Sequence, residues 1–541
     1  MTTSAPASQL GSHEVLNQPG PRGARDLWAQ DQPLRDAAAT AGARVDLLAS
    51  AGQVYGSEDI QQAAEEARRD LPRLKLFDRG GRRLDEVTFH PGYHKVMQAG
   101  LGAGYASVAW DGKPCGHVTH AALVYMQMQV EPGAGCPMTM TYAAVPALRH
   151  DKALHDLWAP RLTSGVYDPS TRPISQKRGA TLGMAMTEKQ GGSDVRANTT
   201  QAVRDGDAYR LTGHKWFCSA PMCDGFLTLA QAPGGLTCFL VPRWLEGERN
   251  AIRLQRLKDK LGNQANASSE IEYHNALAYR LGDEGAGVRT IIEMVHHTRL
   301  DTAIAPAALM RAALSEAHHW VSHRSAFQRR LIDQPLMREV LADLTLDMEG
   351  ALAVSMFMAE SFDRDDDASR ALARIGVALA KYLSNKRCIP VVGEAMEVLG
   401  GMGYVEDTPM PMFYREAPLN SIWEGSGNVI CLDILRTLSR EPLAGEALAS
   451  VLDAARGRDA RFDAALAAHR ARWSSIPPEN EARWFAESLA SLLTAAALMR
   501  VAPDAVVSGY ITSRVAADRG QMAGTVAGLE TSAILARLDP A

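Results

Sequence analysis

Gly225-Phe-Leu-Thr-Leu-Ala-Gln231 and Leu236-Thr-Cys-Phe-Leu-Val241, parted by Pro233-Gly-Gly235, decide the fold. Two apolar runs of strand length across a Pro-Gly-Gly turn read as a β-hairpin. The texture agrees from about residue 180 to 285. Asp205-Gly-Asp207 turns into Ala208-Tyr-Arg-Leu-Thr212, and Ser269-Glu-Ile-Glu-Tyr273 alternates polar and apolar as a half-buried strand does. Outward in both directions the period is helical. Gln61-Gln-Ala-Ala-Glu-Glu-Ala-Arg-Arg69 is a charged helix face, residues 119–129 carry apolar side chains at helical spacing, and 302–321 and 334–359 are long helices of a bundle. The fold class expected is mainly α with a central antiparallel β domain, a barrel. Residues 1–180 make a Pro/Gly/Ser-rich arm and a helical domain, 181–285 the barrel and 286–440 the helix bundle. Residues 441–541 add an Ala-rich all-helical domain, broken at Ser474-Ser-Ile-Pro-Pro478 and Pro503.

A chain of 541 residues is too long for one core and fits two to four domains. Net charge of −5 excludes a chain that is basic overall, so any nucleic-acid contact is a local patch. Seven scattered cysteines without Cys-x-x-Cys spacing argue against a disulfide framework or a thiolate zinc site, and fit a reducing cytoplasm. The start, Met1-Thr-Thr-Ser-Ala-Pro-Ala-Ser8, lacks the basic-then-apolar order of a secretion signal. The apolar stretch 489–499 is shorter than a bilayer span and flanked by Glu487 and Arg500, so no membrane partner is expected.

Candidate chemistry centres on Asn420-Ser-Ile-Trp-Glu-Gly-Ser-Gly-Asn428. Apolar Ile422 and Trp423 strip water from Glu424, which raises a carboxyl pKa and makes a proton acceptor usable near neutral pH. Gly425 and Gly427 let a flat ligand approach the backbone. Three further stretches keep it company: Met184-Ala-Met-Thr-Glu-Lys-Gln-Gly-Gly-Ser-Asp-Val195, Thr212-Gly-His-Lys-Trp-Phe-Cys-Ser219 and Glu397-Val-Leu-Gly-Gly-Met-Gly-Tyr404. This ordered set resembles the acyl-CoA dehydrogenase family of flavoproteins over roughly residues 85–440. Leu16-Asn-Gln-Pro19 and Arg256-Leu-Lys-Asp-Lys-Leu-Gly-Asn263 extend the resemblance, to the family's AidB-like branch, over nearly the whole chain.

The resemblance implies FAD as cofactor, Glu424 as base and Arg299 beside it as catalytic residues. It implies α,β-desaturation of a short or branched acyl-CoA, which takes an α-proton on one face and a β-hydride on the other. It places Met184, Ala185, Met186, Thr187, Gly192 and Ser193 in the flavin loop, and Trp216, Phe217 and Cys218 on the strand against the ring. Glu397, Gly400 and Gly401 fall in the dinucleotide turn, with Ser426 and Asn428 after the base. Arg324 reaches the cofactor of a neighbouring subunit in relatives, which implies a homotetramer. Three positions depart from the family: Lys189 replaces proline, Glu397 glutamine, and Gln328 a glycine after Phe327, which puts that turn in doubt. Arg299 reads equally well as a helix-surface ion pair.

The branch also implies duplex-DNA binding in a DNA alkylation response. From Arg440 onward, however, eleven arginines and no lysine face twelve acids, so only the local group Arg458, Arg461, Arg470 and Arg472 is a candidate. An ordinary metabolic acyl-CoA dehydrogenase and a non-catalytic flavin-bound scaffold are the alternatives. Glu316, His319 and His323 share a helix face but read as a polar seam, and no metal is expected. Gly100-Leu-Gly-Ala-Gly-Tyr105 lacks the last glycine and the preceding strand of a dinucleotide loop.

Overall fold

In a computed structural model that describes residues 6–538, helices flank a seven-stranded sheet. Strands Ala208–Ser219, Gln201–Asp205, Gly225–Ala232, Gly235–Pro242 and Ser268–Leu281 follow one another in a closed ring. The predicted hairpin pairs Ala232 with Gly235 and Gly225 with Pro242. The ring is antiparallel except where Gln201 meets Gln231 in parallel, and Leu182–Ala185 adds to it as a second parallel neighbour of Gly225–Ala232. That parallel strand delivers the chain straight into the loop at Met186.

The segment ahead of the barrel is helical except for a hairpin, Arg73–Phe77 with Arg83–Thr88, inside a stretch expected to be helical. Its turn is held by the Asp78 carboxylate, which accepts from the N–H groups of Gly80 and Arg82. Such Asx chemistry competes with helix locally. The glycine run at 100–104 ends the helix Pro91–Gly102.

Three helices form the bundle core: Gly287–His323, Pro335–Phe362 and Asp367–Val398. Each packs on the other two, so apolar residues appear all round them. Residues after 441 lie against this core. Helix Ala482–Val501 packs on Pro335–Phe362 and Asp367–Val398. Together with the turn before it, this helix is long and apolar enough to cross a bilayer, beyond what the stretch 489–499 suggested. Its apolar window is 72% buried in the protein, which accounts for the composition. The last segment is pinned by ion pairs. Arg514 binds Asp343 and Asp347, Arg519 binds Asp343, and Arg537 bridges Glu349 and Asp36.

The arm at residues 6–25 lies across the end of helix Gly287–His323. Arg22 pairs with Glu316, the Gly20 carbonyl bonds to His319, and His323 bonds back to the His319 carbonyl. The seam at Glu316, His319 and His323 is thus occupied by the arm and by its own helix.

Candidate active site

Glu424 sits between the 3-10 turn Leu419–Ser421 and the helix Gly427–Arg440, with φ +58°. A non-glycine residue in this left-handed region is strained, and the surroundings must hold it there. They do so from two helices. Arg299, on Gly287–His323, donates Nε to the Glu424 carbonyl at 3.2 Å. Lys381, on Asp367–Val398, donates to the carbonyls of Asn420 and Gly425, both at 2.9 Å. Trp423 closes the loop on itself through Nε1 to Asn420 Oδ1 at 2.7 Å. Thr298 Oγ1 then donates to the Glu424 carboxylate at 2.7 Å.

The electrostatics follow from this packing. Burial pushes the Glu424 carboxyl above its ordinary range, opposed by the Thr298 hydroxyl and the charges of Arg299 and Lys381. Lys381 is itself driven down to about 7 by burial, with Glu424 pulling the other way. Arg299 is buried and paired with Asp433 at 2.7 Å, while Arg374 grips the same aspartate through two nitrogens. Arg299 therefore holds the Glu424 backbone and belongs to an internal ion-pair network, not to the helix surface. Glu424 itself keeps partial exposure, and its N–H has no backbone acceptor among the described residues.

Beside Thr298 on the same helix, His297 enters a ring cluster with Trp110, His117 and Tyr142, at centroid distances of 5.0–5.8 Å, and Phe362 packs on His297 at 5.3 Å. Burial pushes His297 down to about 4 and His117 and His296 well below their usual values, so these imidazoles are uncharged at neutral pH, while the Arg149 guanidinium lies 5.5 Å from the Trp110 ring.

The second half of the site is the loop leaving Leu182–Ala185. The Trp216 N–H donates to the Thr187 carbonyl at 2.8 Å, locking the loop to strand Ala208–Ser219. Behind them Glu188 is buried and fully engaged, taking Lys215 Nζ at 2.8 Å and the N–H and hydroxyl groups of Thr199 and Thr200. Met184, Met186, Thr187, Gly192 and Trp216 keep partial exposure, and Ser193 and Phe217 are exposed. Ala185 and Cys218 have no accessible surface and form the wall behind. The Thr187 hydroxyl has no protein partner among the described residues. Lys258 Nζ lies 3.2 Å from the centroid of the Trp216 ring and fixes that indole.

The other expected residues divide. Gly400 takes φ +61° and ψ −142°, a conformation for glycine only, and no atom lies within 4 Å of where a side chain would start at Gly400 or Gly401. Glu397 is exposed at the end of helix Asp367–Val398. Ser426 is exposed, whereas Asn428 Oδ1 already accepts from Arg483 at 3.1 Å. Arg324 reaches the Asn17 carbonyl at 2.7 Å. The turn after it does form: Ser325–Ala326 pairs with Arg329–Arg330, and Phe327 and Gln328 both take positive φ, as a two-residue hairpin demands. Among the described residues no group of three or more potential ligands could hold a metal.

Thr298, Lys381, Arg374 and Asp433 escaped the sequence reading. Thr298 adjoins Arg299 and carries a positional signal, but Ala380-Lys381-Tyr382 is an ordinary helix interior. An open glycine turn, a free threonine hydroxyl and a fixed indole suit a flat ring system with a dinucleotide tail.

Comparisons with known proteins agree. The N-terminal domain of adaptive response protein AidB matches residues 17–169, the acyl-CoA dehydrogenase middle domain 183–276, and the acyl-CoA dehydrogenase C-terminal domain 285–439. The chain is 46% identical to Escherichia coli AidB over 84% of this chain and 86% of that protein. It is 32% identical to acyl-CoA dehydrogenase family member 11 of Caenorhabditis elegans over 71% and 65% of the two chains. The solved structure of Caenorhabditis elegans ACDH-11 in complex with C11-CoA superposes with a TM-score of 0.84 over 98% of this chain and 97% of that one, at 26% identity. The fold and domains are those of an FAD-dependent oxidoreductase acting on CH–CH bonds. The chain belongs to the acyl-CoA dehydrogenase family, as an AidB-like member.

Proposed function

We propose that the chain desaturates short or branched acyl-CoA thioesters between the α and β carbons, with Glu424 taking the α-proton. The observation that carries this is the Glu424 carboxyl itself: desolvated, yet partly exposed and held by Thr298 at 2.7 Å. The free N–H of Glu424 binds the thioester carbonyl and stabilises negative charge as the proton leaves. Lys381 and Arg299 hold the loop so that carboxylate and N–H keep their relative positions. FAD, when bound, accepts the β-hydride; Met186, Thr187, Trp216, Gly400 and Gly401 would hold it. Anaerobic mixing with an acyl-CoA panel tests the reading. Flavin absorbance should bleach in the unmutated protein and stay unchanged in Glu424→Gln, which keeps its yellow cofactor. Bleaching unaltered by Glu424→Gln removes the assignment.

The exposed hairpin supports a homotetramer with shared cofactor sites. Light scattering should give four times the 58.4 kDa chain mass. A second reading, sequence-independent contact with duplex DNA in the alkylation response, is favoured by one feature. Arg472 lies 3.6 Å over the exposed Trp484 ring, a stacking arrangement suited to nucleic acid. Arg461 and Arg470 are paired with Asp459 and Asp453, so affinity is weak and salt-dependent. A gel-shift salt titration without binding at low salt ends that reading.

A further inference from the structure

Between the Arg73–Thr88 hairpin, the helix Pro91–Gly102, the segment 167–181 and the base of the barrel lies a cavity of 320 Å³ that no step above uses. One wall is apolar: Phe89 and Tyr93, stacked at 4.2 Å, with Met97 and Met222. The other carries charge, and nearly all of it is matched inside the protein. Lys177 Nζ meets Asp224 at 3.0 Å, Asp168 at 3.8 Å and the Ser170 carbonyl at 2.8 Å. Asp224 also takes the Thr181 N–H at 2.9 Å, and Glu86 pairs with Arg249 at 3.1 Å.

Arg243 is the exception. It is 6% exposed and lines the cavity, yet its side chain donates only to the Cys223 carbonyl at 3.0 Å and to the Met222 thioether at 3.7 Å. Among the described residues no carboxylate lies within ion-pair distance of it; the charges of Asp224 and Glu86 act on it only from farther off. A guanidinium has five N–H donors, and sulfur is a weak acceptor. A buried cation so poorly matched calls for an anion from outside.

We propose that this cavity binds a small carboxylate with an aromatic or apolar body, its carboxylate on Arg243 and its body on the Phe89–Tyr93 wall. The planar fork of arginine suits a carboxylate held through two parallel hydrogen bonds. The volume is at the lower end for small-molecule sites, too small for a CoA thioester. A cationic ligand would meet two cations and acids already neutralised.

A fluorine NMR titration of the FAD-loaded full chain with 4-fluorophenylacetate tests this, with 4-fluorophenylacetamide as the uncharged control. Saturable binding of the acid is expected, weakened at least tenfold for the amide and in Arg243→Gln. Met222→Trp, which fills the cavity and removes the weak thioether acceptor while the Cys223 carbonyl still holds Arg243, should abolish it, and so decides the matter if Arg243→Gln fails to fold. Glu424→Gln should bind as the unmutated chain does. The proposal is overturned by absence of saturable binding, by equal binding of acid and amide, by binding that survives Met222→Trp, or by displacement with an acyl-CoA, which would put the probe in the flavin crevice.

Discussion

At the residue scale the decisive balance is between desolvation of Glu424 and the three groups that oppose it. Burial raises the carboxyl pKa, so the protonated, inactive form persists above the ordinary glutamate value of about 4.3. The rate of acyl-CoA-dependent flavin reduction should therefore fall as pH drops through that raised value. Thr298→Val removes a hydrogen bond that favours the charged form, so the acid limb moves to higher pH. A hydrogen bond to a charged group contributes about 1.5–3 kcal/mol, which corresponds to a rate loss of about 10- to 100-fold if it acts in the transition state. A stopped-flow pH profile reads both effects.

At the element scale two attachments carry predictions. The hairpin at 325–330 hangs on Asn17, whose side chain takes the Ser325 N–H and donates to its carbonyl, as a neighbouring strand would. Phe327 at its tip is 91% exposed and strained, so the hairpin depends on that bracket. Asn17→Ala should loosen it and, if the cofactor is shared between subunits, raise the flavin dissociation rate, measured by fluorescence on dilution. The second attachment is Asp347, which Arg387 and Arg514 both grip at 2.8 Å. The two arginines hold its pKa well below the usual carboxylate range despite burial. Its stabilisation is present above the unfolded value of about 3.9 and is lost only as pH falls through the depressed folded value. Residues 511–538 should thus stay docked in mild acid. Asp347→Asn leaves Arg387 without its carboxylate and Arg514 with Asp343 alone, and should cost about 1.5–3 kcal/mol at neutral pH, seen as early proteolysis after residue 510 and a lowered unfolding midpoint.

At the scale of the whole molecule, Glu424 and the side chains that hold its loop come from different parts of the chain. Cutting the C-terminal segment from the bundle would leave Asp343 and Glu349 without their ion-pair partners and Asp347 with Arg387 alone. A chain ending at residue 510 is expected to be poorly soluble and to lose flavin with its fold, not to behave as a lighter dehydrogenase. Sedimentation and the flavin-to-protein absorbance ratio check this. The same ion pairs explain why the arginine count after residue 440 does not predict a basic surface: Arg514, Arg519 and Arg537 are spent inside.

Much of this was legible in residue order. The turn at Pro233-Gly-Gly235 and the alternation at 269–273 are local signals, because strand burial repeats every two residues and turns need particular backbone angles. The Glu424 loop stood out in the chain itself, but not for the reason expected: Ile422 is 64% exposed, and the carboxyl is buried against the helices that carry Thr298, Arg299 and Lys381. The hairpin at 73–88 was hidden among helical neighbours, although Asp78 and its glycines carried the turn. What the chain order could not show is pairing over distance: that Lys381 and Arg299 hold the loop, that Arg299 answers to Asp433, that Glu188 is consumed by Lys215, and that Arg243 is left without a carboxylate. Such assignments depend on which side chains meet when helices and barrel pack, and a buried charge takes its meaning only from that meeting.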